Sequence, residues 1–89
     1  MIVILPKAVE KQIERIERGN PSAAFRIKTF IEELEFQSSP TRLPNATKLV
    51  DTPHGYRWRI GDYRVLGNVF EDELVIEIIK VATRADAYK

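Results

Sequence analysis

The chemistry available to this sequence is carried by guanidinium groups. Arg57, Arg59 and Arg64 stand close together on either side of a Gly61-Asp62 pair. Read as the two-residue loop of a β-hairpin, of the kind with glycine first, that pair sets a register. Ile60 then pairs with Tyr63, Trp58 with Val65 and Arg57 with Leu66, and Arg59 falls directly across from Arg64. Alternation puts the three arginines on one face and Tyr56, Trp58, Ile60, Tyr63, Val65 and Val69 on the other. Like charges opposed in this way destabilise a hairpin by about 0.2–1 kcal/mol. Two explanations fit the pattern. One is an anion site, in which planar guanidinium forks match phosphate oxygens. The other is a solvated sheet face whose arginines pair with acids such as Glu77 on the next strand.

Other candidates are fewer. Arg84 and Tyr88 lie just past the last apolar run, where a tail can fold back over the sheet or stay in water. His54, in a Pro-His-Gly turn, is the single histidine of the chain. A group of that kind can act as acid or base near neutral pH, but one without a partner in a loop is ordinarily structural. Trp58 and Tyr63 read as core residues rather than platforms for bases, because their face is the one the helices need. There is no glycine-rich phosphate loop, no paired carboxylates and no nucleophile motif, and Ser22, Ser38 and Ser39 have no identifiable histidine partner. The chain has no cysteine, which excludes thiolate catalysis, disulfides and cysteine metal sites, and one histidine is too few for a histidine zinc set. No metal and no cofactor are expected.

The elements that must position these residues can be read along the chain. Its 89 residues form one domain, 1–89, with a modest core. Ile2–Leu5 reads as a short buried strand, too short for a signal peptide or a membrane span. Pro6 suits a helix first turn, and Val9, Ile13 and Ile16 recur at helical spacing up to a stop at Gly19. Asn20-Pro21 restarts the chain as a cap and first helical position, and Ala24, Ile27, Phe30, Ile31 and Leu34 carry one apolar face to about Phe36. From Gln37 to Gly55 a long loop holds three prolines and a short strand or turn around Lys48–Val50; loops of this length are often functional. Three strands follow: Tyr56–Ile60, Tyr63–Phe70 and Leu74–Val81. The order β-α-α-β-β-β is an α+β fold, a helical hairpin packed on one face of a small, mostly antiparallel sheet.

The segment Gly55-Tyr-Arg-Trp-Arg-Ile-Gly-Asp-Tyr-Arg-Val65, its hairpin and the closing Arg84 and Tyr88 resemble the RelE/ParE superfamily of bacterial toxin–antitoxin toxins. The likeness covers nearly the whole chain. It implies a small cytoplasmic toxin neutralised by a cognate antitoxin protein. RelE-type members enter the ribosomal A site and cut mRNA without a metal, the 2′-OH of the message attacking the adjacent phosphate. The resemblance implies Arg59, Arg64, Arg84 and Tyr88 as catalytic residues and Arg57, Lys48 and Lys80 as RNA-binding ones, with ribosome and mRNA as partners and neither a membrane nor a small-molecule cofactor. Arginine stays cationic in proteins, so these groups place charge and do not take protons. Thr83 stands where many relatives have histidine, and Gly67 where they often have an aromatic. ParE-type members share the fold but poison DNA gyrase without cutting RNA, and this is the alternative function.

Fourteen basic and thirteen acidic residues give a net charge of +1, so no global field draws in a polyanion. The acids gather on the helices and at Glu71–Glu73, whereas the hairpin carries its arginines with only Asp62 at the tip. The expectation is a polar molecule with one basic face, better suited to a ribosome or a protein target than to free RNA.

Overall fold

Asn20 makes two helices out of one apolar stretch. Its side chain accepts from the Ala23 N–H at 3.1 Å, and Pro21 takes the first helical position, where a missing N–H is harmless. In the computed structural model, which describes residues 1–88, the chain runs β1 (Ile2–Ile4), α1 (Lys7–Gly19), α2 (Pro21–Leu34), a 3-10 turn (Pro40–Arg42), β2 (Ala46–Lys48), β3 (Gly55–Ile60), β4 (Tyr63–Phe70) and β5 (Val75–Thr83). Pro6 sits one position earlier than expected, as the N-cap of α1, and its carbonyl accepts from Val9 and Glu10.

The five strands form one sheet in the order β1-β5-β4-β3-β2. β1 runs parallel to β5, and every other pairing is antiparallel. The α+β reading holds, and the short strand expected around Lys48–Val50 lies two residues earlier, as β2. Val9 and Ile13 of α1 and Ala24, Ile27, Ile31 and Leu34 of α2 are buried against Trp58, Val65, Val69, Ile76, Ile78 and Val81 of the sheet. Trp58 is fully buried at the centre, and its Nε1–H donates to the Pro40 carbonyl at 3.0 Å, tying the 3-10 turn to the core.

The β3–β4 register is the expected one at every pair, including Arg59 opposite Arg64. Gly61 has φ 59°, and Asp62 is not in the left-handed region, which is the pattern of a glycine-first tight turn.

Between β4 and β5 the register departs from simple alternation. Leu66 pairs with Lys80 but Gly67 pairs with Ile78, so Ile79 is the extra residue of a β-bulge. The bulge brings Val81 inward after Ile76 and Ile78, and the Val81 N–H donates to Gln12 Oε1 at 2.9 Å. The register also shows where Glu77 pairs. Glu77 stands opposite Asn68, and Arg64 stands opposite Ala82, so the alternative in which Glu77 compensates Arg64 does not occur.

Gly67 lies at this irregularity, and a Cβ there would come within 2.8 Å of the Glu77 carbonyl oxygen and 3.3 Å of Trp58 Cζ3. An aromatic side chain has no room at this position. Gly67→Ala is expected to lower stability by about 1–3 kcal/mol, the usual cost of overpacking, read as a lower urea midpoint.

One element differs from its sequence reading in burial. β1 was expected to be buried on both faces, but Ile2 and Ile4 are 65% and 45% exposed and only Val3 packs on the core. The helices cover one face of the sheet, and among the described residues no helix covers the other. No described helix is long and apolar enough to cross a membrane.

Candidate functional site

The sheet face turned away from the helices carries the arginines. Arg57, Arg59 and Arg64 reach it from β3 and β4 by strand alternation. The backbone continues the ladder past β5 through an Arg84 N–H to Asp62 carbonyl bond of 2.9 Å, and this places Arg84 beside the same hairpin. These four arginines line one cleft of about 370 Å³ together with Pro44, Asn45 and Thr47. No acidic side chain is in that lining.

The four are held differently. Arg64 is only 8% exposed, and its Nη1 donates to the carbonyls of Gly61 at 3.0 Å and Tyr63 at 2.9 Å. Both acceptors are neutral, so the guanidinium is anchored without its charge being cancelled. Its remaining donors line the cleft. Arg59 and Arg84 are exposed, and Arg57 is half-buried. Arg57 donates to the Tyr88 hydroxyl, and its Cζ lies 5.6 Å from the centre of the Tyr88 ring. The tail therefore does fold back over the sheet. Thr83 starts the turn: its hydroxyl accepts from the Asp86 N–H at 3.3 Å, its carbonyl accepts from the Ala87 N–H at 2.9 Å, and Ala87 is buried. At this position Thr83 shapes the tail, and Tyr88 sits at the mouth of a neighbouring groove formed by Thr47 to Val50, Thr52 and Arg57.

Two lysines expected near RNA lie outside the cleft. Lys48 pairs with Tyr56, which puts it on the Trp58 side of the sheet. Its ammonium donates to the Thr52 carbonyl and lies 5.2 Å from the Tyr56 ring centre, closing the loop that follows β2. Lys80 donates to the Asp86 carbonyl at 2.9 Å and lines a groove with Gln12 and Arg15 of α1. His54 packs on Phe70, ring centres 4.8 Å apart, away from the arginines.

Sequence reasoning missed one wall of the cleft. Pro44, Asn45 and Thr47 come from the long loop and β2. Thr47 pairs with Arg57 and so shares its face. The available signal was the β-branched Thr47 beside Ala46 in a segment that also holds Pro44, but three residues are too few to show a period.

The fold that carries this cleft, a helical hairpin on a five-stranded sheet, has counterparts among solved structures. The archaeal RelE of the RelE–RelB complex from Pyrococcus horikoshii OT3 is 31% identical, with a TM-score of 0.75, over 97% of each chain. The RelB–RelE antitoxin–toxin complex of Methanococcus jannaschii gives 24% identity and a TM-score of 0.74 over 99% of this chain and 95% of that one. The isolated E. coli RelE toxin gives 18% and 0.69 over 98% and 89%. At these lower identities the last two show a shared fold. No curated protein matches the chain by sequence. Residues 3–88 match the family described as the ParE toxin of type II toxin–antitoxin system, parDE. By that match over nearly its whole length the chain belongs to the ParE toxin family, within the RelE/ParE superfamily, and is a toxin of a type II toxin–antitoxin system.

Proposed function

We propose that this toxin arrests translation by cutting messenger RNA on the ribosome. The observation that carries the reading is the convergence of Arg57, Arg59, Arg64 and Arg84 on one cleft whose lining holds no carboxylate. Such a cleft suits a phosphodiester, and it suits the transition state of phosphoryl transfer better still, because charge grows on the non-bridging oxygens as the reaction proceeds. In the proposed step the 2′ oxygen of the message forms a bond to the adjacent phosphorus and the bond from phosphorus to the 5′ oxygen breaks. One proton leaves the 2′ oxygen and one joins the 5′ oxygen. The products are a cyclic phosphate and a free 5′-OH end.

Arg64, rigid and uncompensated, and Arg84, from the tail, hold the scissile phosphate. Arg59 steadies the backbone beside it and Arg57 the next phosphate. Tyr88 offers its ring to a base in the groove beside the cleft, next to Arg57. Lys48 and Lys80, engaged with backbone carbonyls, add field rather than contacts. With a net charge of +1 the protein gains little from long-range steering, which favours a message already presented by the ribosome over free RNA. Relatives solved as complexes with RelB support a cognate antitoxin for this chain, acting in the cytoplasm beside the ribosome. The arginine face calls for acidic residues on that partner.

The family match supports a second reading, a non-enzymatic inhibitor of DNA gyrase. One experiment separates the two. Purified toxin is added to a cell-free translation reaction with a defined message, the cuts are mapped, and gyrase supercoiling is assayed in parallel. The expected result is discrete cuts in the message with supercoiling unaffected. Intact message with blocked supercoiling would overturn the nuclease reading.

A further inference from the structure

The arginines explain why an anion enters the cleft, but not why that anion should be RNA. Guanidinium groups only donate hydrogen bonds. A ribose 2′-OH both donates and accepts, and it is the group that distinguishes RNA from DNA at a given site. A wall made of arginine alone leaves its proton without an acceptor.

The missed wall supplies two acceptors. The Asn45 side chain lies 3.0 Å from the Arg59 carbonyl, and the Asn45 carbonyl accepts from the Arg59 N–H, also at 3.0 Å. A carbonyl cannot donate, so it is the amide nitrogen of Asn45 that faces Arg59, and Oδ1 takes the other direction. Residue 45 is thus held through both its backbone and its side chain, with one oriented oxygen left over. The second acceptor is the hydroxyl of Thr47, exposed and directly across from Arg57. Both residues line the cleft, and neither oxygen accepts a hydrogen bond from a described residue.

We infer that Asn45 and Thr47 determine specificity, accepting a hydrogen bond from the ribose 2′-OH and so making the arginine cleft select RNA over DNA. The inference rests on the reading that RNA occupies this cleft, and it names the residues that recognise its sugar. The arginines supply affinity common to both polymers, and the Asn45–Thr47 wall supplies the difference.

The test uses the purified full chain and two labelled oligonucleotides of one sequence, one ribo and one 2′-deoxy. Binding is followed by fluorescence anisotropy at a single salt concentration, and RNA integrity is checked afterwards. With each uncharged hydrogen bond contributing a factor of about three, the wild type is expected to bind RNA about tenfold more tightly than DNA. Thr47→Val, close to isosteric, should reduce the ratio to about three. Thr47→Val combined with Asn45→Ala should bring it to about one. Circular dichroism confirms that the variants fold. Equal affinities in the wild type, or a ratio that stays near ten in the double variant, overturn the inference. The message-mapping experiment fails separately: a toxin that leaves messages intact yet prefers RNA through Thr47 retains the sugar contact and loses the nuclease reading.

Discussion

Arg64→Ala is expected to slow message cutting by about 100- to 1000-fold, the loss typical when one preorganised donor to a developing oxyanion is removed. Arg64 is the most rigid of the four cations. Its Nη1 is held by two carbonyls of its own hairpin, at 3.0 and 2.9 Å, so the guanidinium need not be ordered when the phosphate arrives. No carboxylate lines the cleft to compete for its charge. The same bonds make Arg64 structural, and alanine leaves two turn carbonyls without their donor. A loss of about 1–2 kcal/mol in stability should accompany the loss of rate. Arg64→Lys separates the two effects: the charge remains, the fork is lost, and cutting should still fall by about tenfold or more in a protein that folds normally. Single-turnover cutting on programmed ribosomes, with urea midpoints on the same preparations, checks both variants. A folded Arg64→Ala protein that cuts at the wild-type rate would remove the phosphate from this cleft.

Trp58→Ala should have the largest effect on stability, about 3–5 kcal/mol, a substantial part of what a domain of this kind possesses. Trp58 is wholly buried, its ring centre lies 6.2 Å from that of Phe30 and 6.5 Å from that of Tyr56, and its N–H is the donor to Pro40. Trp58→Phe keeps most of the apolar contact but leaves the Pro40 carbonyl unpaired, and should cost about 1–3 kcal/mol. Arg57 and Arg59 flank Trp58 on the opposite face of β3, so loosening the strand should disperse the cleft as well. Urea titration followed by far-ultraviolet circular dichroism measures the loss. An alanine variant as stable as the wild type would mean that the tryptophan is not the keystone of the core.

The parts of the fold legible in the sequence were those governed by local rules. Gly61-Asp62 dictates a tight turn, and alternation on either side then fixes every pair of the β3–β4 hairpin, with Arg59 facing Arg64. Asn20-Pro21 marks a helix start as plainly. The misreadings have other causes. The run Val75 to Val81 is apolar at so many positions that it shows no alternation to lose, and the bulge at Ile79 was invisible. The Glu77–Arg64 pair failed by distance along the strand: Glu77 faces Asn68, four residues from Arg64. Lys48 stands one step of register from Thr47, which places it on the other side of the sheet. The cleft was half legible: its cations stand in a hairpin that announces itself, and its neutral wall comes from three residues of loop and strand that do not.

The β1 seam has a consequence for where the molecule yields. β1 holds three residues, joined to partners some seventy positions away in the chain, with Ile2 pairing Val75 and Ile4 pairing Glu77. Closing so long a loop for so few contacts makes this the least protected end of the sheet, the first to fray on heating and the last to form during folding. The cleft sits at the other end, on β2, β3 and β4, with β5 between it and the seam. Fraying there bares the β5 edge and the Val3 side chain while the arginines stay in register. Warmed without a partner, such a protein offers an open β5 edge for strand pairing while its cleft is still formed.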